Sequence, residues 1–423
     1  MLVYTCDGAF KHSNFAIFSI FASINNLSLL MNTVYITHNG CQMRSLDASK
    51  VAAYFLANGI ELKDNPANAD LSVLISCSGI DSQVRNTLDT IDYLLKASKD
   101  NLVILGCMPA TMPEKISSLF NGVTIPLKEM NRIDDLFPDF KYKYDSIDEP
   151  YNLYGNRYDT DHVDFSRGVC VPVDHKKSRF NLNRFNKKVK TASIRICNGC
   201  NSACSYCNIK IAVGKLKSLS MESIIKTYSS AINNGLNHVV FMGDDTGAYG
   251  TDMNFSLPEL LQELRKYDNG KKILWSFDEI NPQWALKYKD YFLQIAKERK
   301  MLIFACPIQN GSQRIIDLMN RHYKIKEVIE FFKELKKSHR KIEIHTHLIL
   351  GFPSETDKDF TETCNLFSAN LINHALLASY SDFDYTRSQK FDNKINKETR
   401  KERIYTLQKI LKEKNFTFLS NMD

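Results

Sequence analysis

At 423 residues, 43% hydrophobic and 24% charged, the chain has the composition of a folded protein with room for two or three domains, which excludes a mostly disordered chain. Its 17 Gly and 11 Pro exclude collagen-like and linker-dominated architectures, and a formal net charge of +7 permits an anionic partner without demanding one. Eleven Cys in a chain of this length do not form a disulfide scaffold and point to metal or redox use in a reducing compartment, so a cytoplasmic location is expected.

The chain opens on an apolar stretch, residues 15–24, which Ser and Asn interrupt before the roughly 20 residues that a bilayer span needs. No small-residue cleavage pattern follows it cleanly. Met31 leads straight into a β-rich run, so residues 1–30 are read as an N-terminal extension outside the main fold, with no membrane partner. From there the pattern alternates. Residues 34–36 read as a strand, 46–58 as a helix ending at Gly59, and 71–75 and 102–105 as continuous apolar runs typical of buried parallel strands. Together they predict a small α/β domain over 31–140.

Residues 141–190 change character, first acidic and Tyr-rich, then basic from 175 to 190 with Lys176, Lys177, Arg179, Arg184, Lys187, Lys188 and Lys190 and no acid. This segment is read as a linker or inserted arm. Alternation resumes with strands expected at 192–196, 238–242, 273–277, 302–305, 342–350 and 375–379 and helical patterns between them. Six βα units over residues 191–385 predict a partial (β/α)6 barrel. The last segment, 386–423, holds an amphipathic helix packed on the outside.

Two sets of cysteines carry the chemistry. Cys200, Cys204 and Cys207 form a CxxxCxxC triplet on the loop after the first barrel strand, with Cys197 just before it. A zinc ribbon on Cys197/Cys200 and Cys204/Cys207 needs a long segment between its pairs, and three residues do not supply one. The triplet alone suits three irons of a [4Fe–4S] cluster, leaving the fourth iron open. Cys41, Cys77 and Cys107 each stand just beyond an expected strand of the N-terminal domain. In a parallel sheet such ends fall on one edge, so three loops can bring these thiols together.

The cysteine triplet with Tyr206 before its last member resembles the radical S-adenosylmethionine (SAM) superfamily, and with the second set the chain resembles its methylthiotransferases over about residues 31–415. Further motifs agree: the segment from Gly243 to Asp252, Pro307-Ile-Gln-Asn-Gly-Ser312 with Arg314 and Met319-Asn-Arg321, and Leu350-Gly-Phe-Pro-Ser-Glu-Thr356. The stretch from Cys207 to Ser218, with the Gly243 segment, looks most like the branch acting on threonylcarbamoyladenosine in tRNA. Departures are Val213-Gly214 and Lys217 where the family usually has Arg-Gly and more Arg, no Pro-Gly-Thr-like turn around 384–387, and no C-terminal β-barrel (TRAM) domain expected after the terminal helix.

The resemblance implies an N-terminal Rossmann-like α/β domain with an auxiliary [4Fe–4S] cluster on Cys41, Cys77 and Cys107, and a radical SAM barrel with the SAM cluster on Cys200, Cys204 and Cys207. SAM contacts are implied for Tyr206, Gly243, Asp244, Asp245, Gln309, Ser312 and Gly351. It implies two uses of SAM, one to methylate a cluster sulfur and one to generate a radical that opens a C–H bond to the methylthio group. No side-chain acid or base is nominated. A tRNA substrate is expected, with a peptide or protein as the alternative, and an electron donor such as flavodoxin or ferredoxin. Two rivals stand beside this reading: a radical SAM enzyme using the second cluster only for electron transfer, and a non-enzymatic iron–sulfur or zinc-binding interaction protein.

Overall fold

Each run of β–α alternation builds its own parallel sheet. The computed structural model describes residues 31–98, 101–154, 189–414 and 416–421; the expected extension 1–30 and the basic run over 175–188 lie outside the described residues. The first sheet contains β1 (Thr33–His38), β2 (Glu61–Lys63), β3 (Leu71–Ser76), β4 (Leu102–Gly106) and β5 (Val123–Pro126), in the order β2-β1-β3-β4-β5. All its pairs are parallel. Every residue of β3 and β4 is buried, as continuous apolar strands covered on both faces must be. The register sets Thr37 beside Leu74 and Leu74 beside Ile104, which aligns the carboxyl ends of β1, β3 and β4 on one edge.

The second sheet contains β6 (Tyr151–Tyr154), β7 (Thr191–Arg195), β10 (His238–Met242), β11 (Leu274–Phe277), β12 (Met301–Ala305), β13 (Glu343–Leu350), β14 (His374–Ser379) and β15 (Thr417–Asn421). The intervening β8 (Cys197–Asn198) and β9 (Lys217–Ser218) form a small antiparallel ribbon at the foot of the cysteine loop. The large sheet runs β15-β14-β13-β12-β11-β10-β7-β6 without closing on itself, so it is an open barrel. All six expected barrel strands form, each bound within one residue of its expected limit.

Two expectations are corrected. The segment read as linker contributes buried Tyr144 and Tyr151, and its β6 pairs antiparallel with β7 at the sheet edge. A four-residue edge strand in an acidic, Tyr-rich context carries too little alternation to announce itself. The helix Lys397–Glu413 packs on the outside as expected, but a strand that was not expected follows it. The helix buries Ile404, Leu407 and Leu411 and crosses over to β15, which pairs parallel with β14 as a seventh parallel barrel strand.

The two halves meet through the helix Gln42–Ala57, which begins directly after Cys41 rather than at residue 46. Twelve of its 16 residues are buried, because it is covered by its own sheet on one side and by the barrel on the other. Met43 and Leu46 pack against Val240, Met242, Ile303 and Ala305 of β10 and β12. Asp47 binds Arg195 at 2.7 Å across the seam, and Asn152 of β6 bonds Ser45 and Ser49 at 2.7 and 2.6 Å. No helix among the described residues is long and apolar enough to cross a membrane.

Candidate active site

The aligned strand ends deliver the first three thiols, and two glycines let them close. Gly40 has φ +100°, and a Cβ there would lie 2.5 Å from the Cys77 sulfur; Gly106 has φ +113°, and its Cβ would lie 2.4 Å from the Ser76 carbonyl oxygen. Only a residue without a side chain fits either place at ease. The Cys107 amide donates to the Ser76 carbonyl at 2.9 Å, locking β4's end to β3's. A hydrogen bond from the Cys107 thiol holds Cys77 below the ordinary thiol range. On the far side of Cys107, Arg44 Nη1 donates to its sulfur at 3.0 Å.

The barrel supplies the second three. Cys200, Cys204 and Cys207 sit on the loop beyond β8, folded back by Gly199 (φ +72°) and by the Cys200 amide bonded to the Gly214 carbonyl at 3.2 Å. Ser205 clamps the loop to the end of the helix Gln313–Leu318, through its hydroxyl to the Leu318 carbonyl at 2.9 Å and its amide to Met319 at 3.0 Å. Burial pushes the Cys200 thiol up to about 12 and Cys207 up to about 11. These thiols hold their protons at neutral pH until a metal displaces them. Across the seam, Asn208 Nδ2 donates to the Ser78 carbonyl at 2.9 Å, tying this loop to the one that carries Cys77.

All six thiols line one cavity of about 680 Å³ between the two halves, together with Tyr206, Gly243, Asp244, Asp245 and Gln309. Among the described residues, no three His, Cys, Asp or Glu side chains are gathered tightly enough for a single metal ion. Cys197, Cys306 and Cys364 are not part of the wall, and Cys6 and Cys170 lie outside the described residues. Cys197 is fully buried beneath the loop, where it donates to the Asp245 carbonyl at 3.5 Å and packs so closely on Gly243 that a Cβ there would meet its sulfur at 2.4 Å. A four-thiol zinc site including it is not what the packing builds.

Two expected SAM contacts fall outside the wall. Ser312 donates to Asp359 Oδ1 at 2.6 Å, and the Gly351 amide donates to Glu355 Oε2 at 2.7 Å, so both brace the loops behind the cavity. Gln309 is in the wall at φ +76°, held there by its amide to the His347 carbonyl and by the Ile349 amide to its own carbonyl, each 2.8 Å. A left-handed conformation in a non-glycine residue costs about 1 kcal/mol or more and persists where surrounding bonds enforce it.

The wall also holds Arg321, singled out in the sequence only as part of a motif, and residues that sequence reasoning passed over: Arg44, Asp278, Glu279, Asn281 and His347. Asp278 and Glu279 follow β11 as Asp244 and Asp245 follow β10, and paired acids at successive barrel-strand ends were the available signal. Arg321 is buried and donates to Cys204 Sγ (3.5 Å), Tyr206 Oη (3.3 Å), Asn281 Oδ1 (3.3 Å) and the Pro307 carbonyl (2.9 Å). Burial raises the Asp245 carboxyl to about 6, against hydrogen bonds from Trp284 and Cys200.

Known proteins share both halves. Residues 194–367 match the radical SAM superfamily, and residues 33–127 match the uncharacterized protein family UPF0004. The chain is 27% identical over 390 residues to the tRNA-2-methylthio-N(6)-dimethylallyladenosine synthase of Geobacillus thermodenitrificans, covering 90% of this chain and 70% of that one. It is 27% identical to a probable threonylcarbamoyladenosine tRNA methylthiotransferase of Pyrococcus abyssi (79% and 74% covered). It is also 27% identical to the ribosomal protein uS12 methylthiotransferase RimO of Clostridium botulinum (86% and 78% covered). Among solved structures, the radical SAM methyltransferase TsrM of Kitasatospora setae matches with TM-score 0.57 at 12% identity, covering 85% of this chain and 77% of that one, a likeness of fold.

Proposed function

The chain belongs to the radical SAM methylthiotransferase family, and from that premise we propose that it inserts a methylthio group at an unactivated C–H bond of a tRNA adenosine near the anticodon. The observation that carries the reading is the shared cavity: two thiol triplets from separate domains open on one space. Thiolates are the soft donors that hold iron–sulfur clusters, and three per site leave one iron of a four-iron cluster open. Cys200, Cys204 and Cys207 would hold the SAM cluster, and Cys41, Cys77 and Cys107 the second. When bound, these groups and SAM supply the electron, the radical and the sulfur that no side chain can.

The chain's own residues orient and enclose. Arg321 Nη1 donates to both Cys204 Sγ and Tyr206 Oη, and Asp245 bonds Cys200 at 3.6 Å and Trp284 at 3.3 Å. The helix Gln42–Ala57 presents Met43 to the inner surface of the barrel and closes it to water behind the thiols. An electron donor such as flavodoxin or ferredoxin belongs to this proposal.

The tRNA reading is supported by the names of the Geobacillus and Pyrococcus relatives, which differ in the adenosine they act on. The uS12 relative, at the same identity, supports the second reading, methylthiolation of a protein side chain. Mass spectrometry of tRNA nucleosides and of tryptic peptides, from cells with and without the gene, separates them. Loss of a methylthio-adenosine on deletion is the expected result; loss of a methylthio-peptide instead replaces the substrate, and loss of neither overturns the methylthio reading. Anaerobic reconstitution should give about eight irons per chain, and changing Cys200, Cys204 and Cys207 together to Ala should leave about four. Stoichiometric zinc, or full iron in the triple variant, defeats the assignment.

A further inference from the structure

Among the charged residues of the cavity wall, Arg44 lies closest to a thiol of the N-terminal triplet. It is 2% exposed, in the first turn of the helix Gln42–Ala57 and three residues from Cys41. Its Nη1 stands 3.0 Å from Cys107 Sγ while its Nε stands 2.8 Å from Asp47 Oδ2. Asp47 in turn holds Arg195 of β7 at 2.7 Å on its other oxygen. Arg195 also donates to the Met43 carbonyl at 3.4 Å and lies 3.7 Å from Glu149. The guanidinium is therefore oriented by a buried chain of charges rooted in the barrel, and one of its forks is left aimed at a sulfur. Its field also reaches Asp244, whose carboxyl burial raises and Arg44 pulls back down.

A fixed cation donating to a sulfur ligand withdraws negative charge from the metal centre and stabilises its reduced, more negative state. Lysine has the charge but not the planar fork needed to bond a carboxylate and a thiolate at once. We infer that Arg44 is a positioning and tuning residue of the Cys41/Cys77/Cys107 site, raising the reduction potential of the group held there through its bond to the Cys107 sulfur. Asp47 supplies the orientation, so the tuning depends on the docking of the N-terminal domain onto the barrel. The inference rests on the cluster assignment proposed above for those three cysteines.

The test uses the full chain reconstituted with iron and sulfide, in a background with Cys200, Cys204 and Cys207 changed to Ala so that one cluster signal remains. About four irons in that background establishes the cluster assignment by itself, and none there fails the assignment before Arg44 is at issue. With iron present, the midpoint potential is read by EPR-monitored redox titration for Arg44, Arg44→Lys and Arg44→Gln. The expected result is retained iron with a shift to more negative potential, larger for Arg44→Gln than for Arg44→Lys. An unchanged potential in Arg44→Gln with full iron overturns the inference. So does loss of iron in Arg44→Gln alongside an unchanged potential in Arg44→Lys, since that pattern is packing support without tuning.

Discussion

Gly40 shows how much of the site is decided by one missing side chain. The β1 loop must turn through φ +100° to bring Cys41 beside Cys77, and the Cys77 sulfur occupies the space a Cβ would need. Gly40→Ala meets both the left-handed penalty of about 1 kcal/mol and a contact that no real Cβ tolerates. The loop should be pushed away from Cys77, so reconstituted iron should fall from about eight toward about four while the barrel triplet keeps its share. Iron analysis and the EPR signals check this, and an alanine variant with full iron would mean that the loops are held by something other than this close approach. The thiols themselves were legible in sequence because six cysteines beyond strand ends have few structural uses. Arg44 and His347 were not legible, since a lone charged or titratable residue in a helix or strand is most often solvated, and only the fold carries these two into one wall.

At the scale of the element, the barrel strands are stitched by a histidine that must stay neutral. His238 of β10 bonds Thr191 of β7 through Nδ1 at 2.8 Å and Ser276 of β11 through Nε2 at 2.7 Å. Burial lowers its pKa from 6.5 to about 3. The folded state thus binds fewer protons than the unfolded one between these values, so the contribution is present above 6.5 and is lost as pH falls through the window toward 3. Thermal scans of the cluster-free protein should show stability declining below pH 6.5, and His238→Asn should flatten that decline, although it is less stable at neutral pH. A second element carries its own cap: Thr356 accepts the Asp359 amide at 3.3 Å, and Asp359 accepts the Thr356 amide at 2.8 Å, closing a capping box on the helix Asp357–Asn365. Thr356→Ala should cost about 1 kcal/mol in chemical denaturation. The strands of the barrel were readable because six of them are continuous or alternating apolar runs between helical patterns. β6 and β15 were not, being short edge strands whose identity depends on the neighbour they pair with.

For the whole molecule, the question is what keeps two independently cored domains in the one arrangement that lets their thiols share a cavity. The apolar part of the seam is Met43 and Leu46 against four barrel residues, and Phe383 beyond β14 in a cluster with the N-terminal domain's core. Beside it lies a buried ionic relay, Arg44–Asp47–Arg195–Glu149–Lys50, whose links measure 2.8, 2.7, 3.7 and 2.6 Å. Burial by itself would raise the Asp47 carboxyl, yet Arg195 and Arg44 together hold it below the usual range. Such a network is poor as a source of net stability but costly to break, about 3–5 kcal/mol when one partner is left uncompensated. The two sides of the relay are not equivalent. Arg195→Gln leaves Asp47 still paired with Arg44, whereas Asp47→Asn strips two buried guanidinium groups of their shared carboxylate. Asp47→Asn should therefore loosen the docking more than Arg195→Gln. Hydrogen exchange should report it as faster exchange both at the start of the helix Gln42–Ala57 and at the facing ends of β10 and β12, with the interior of each sheet unchanged. Equal protection in both variants and the wild type would mean that the apolar contact and the Asn208–Ser78 bond hold the domains without the relay.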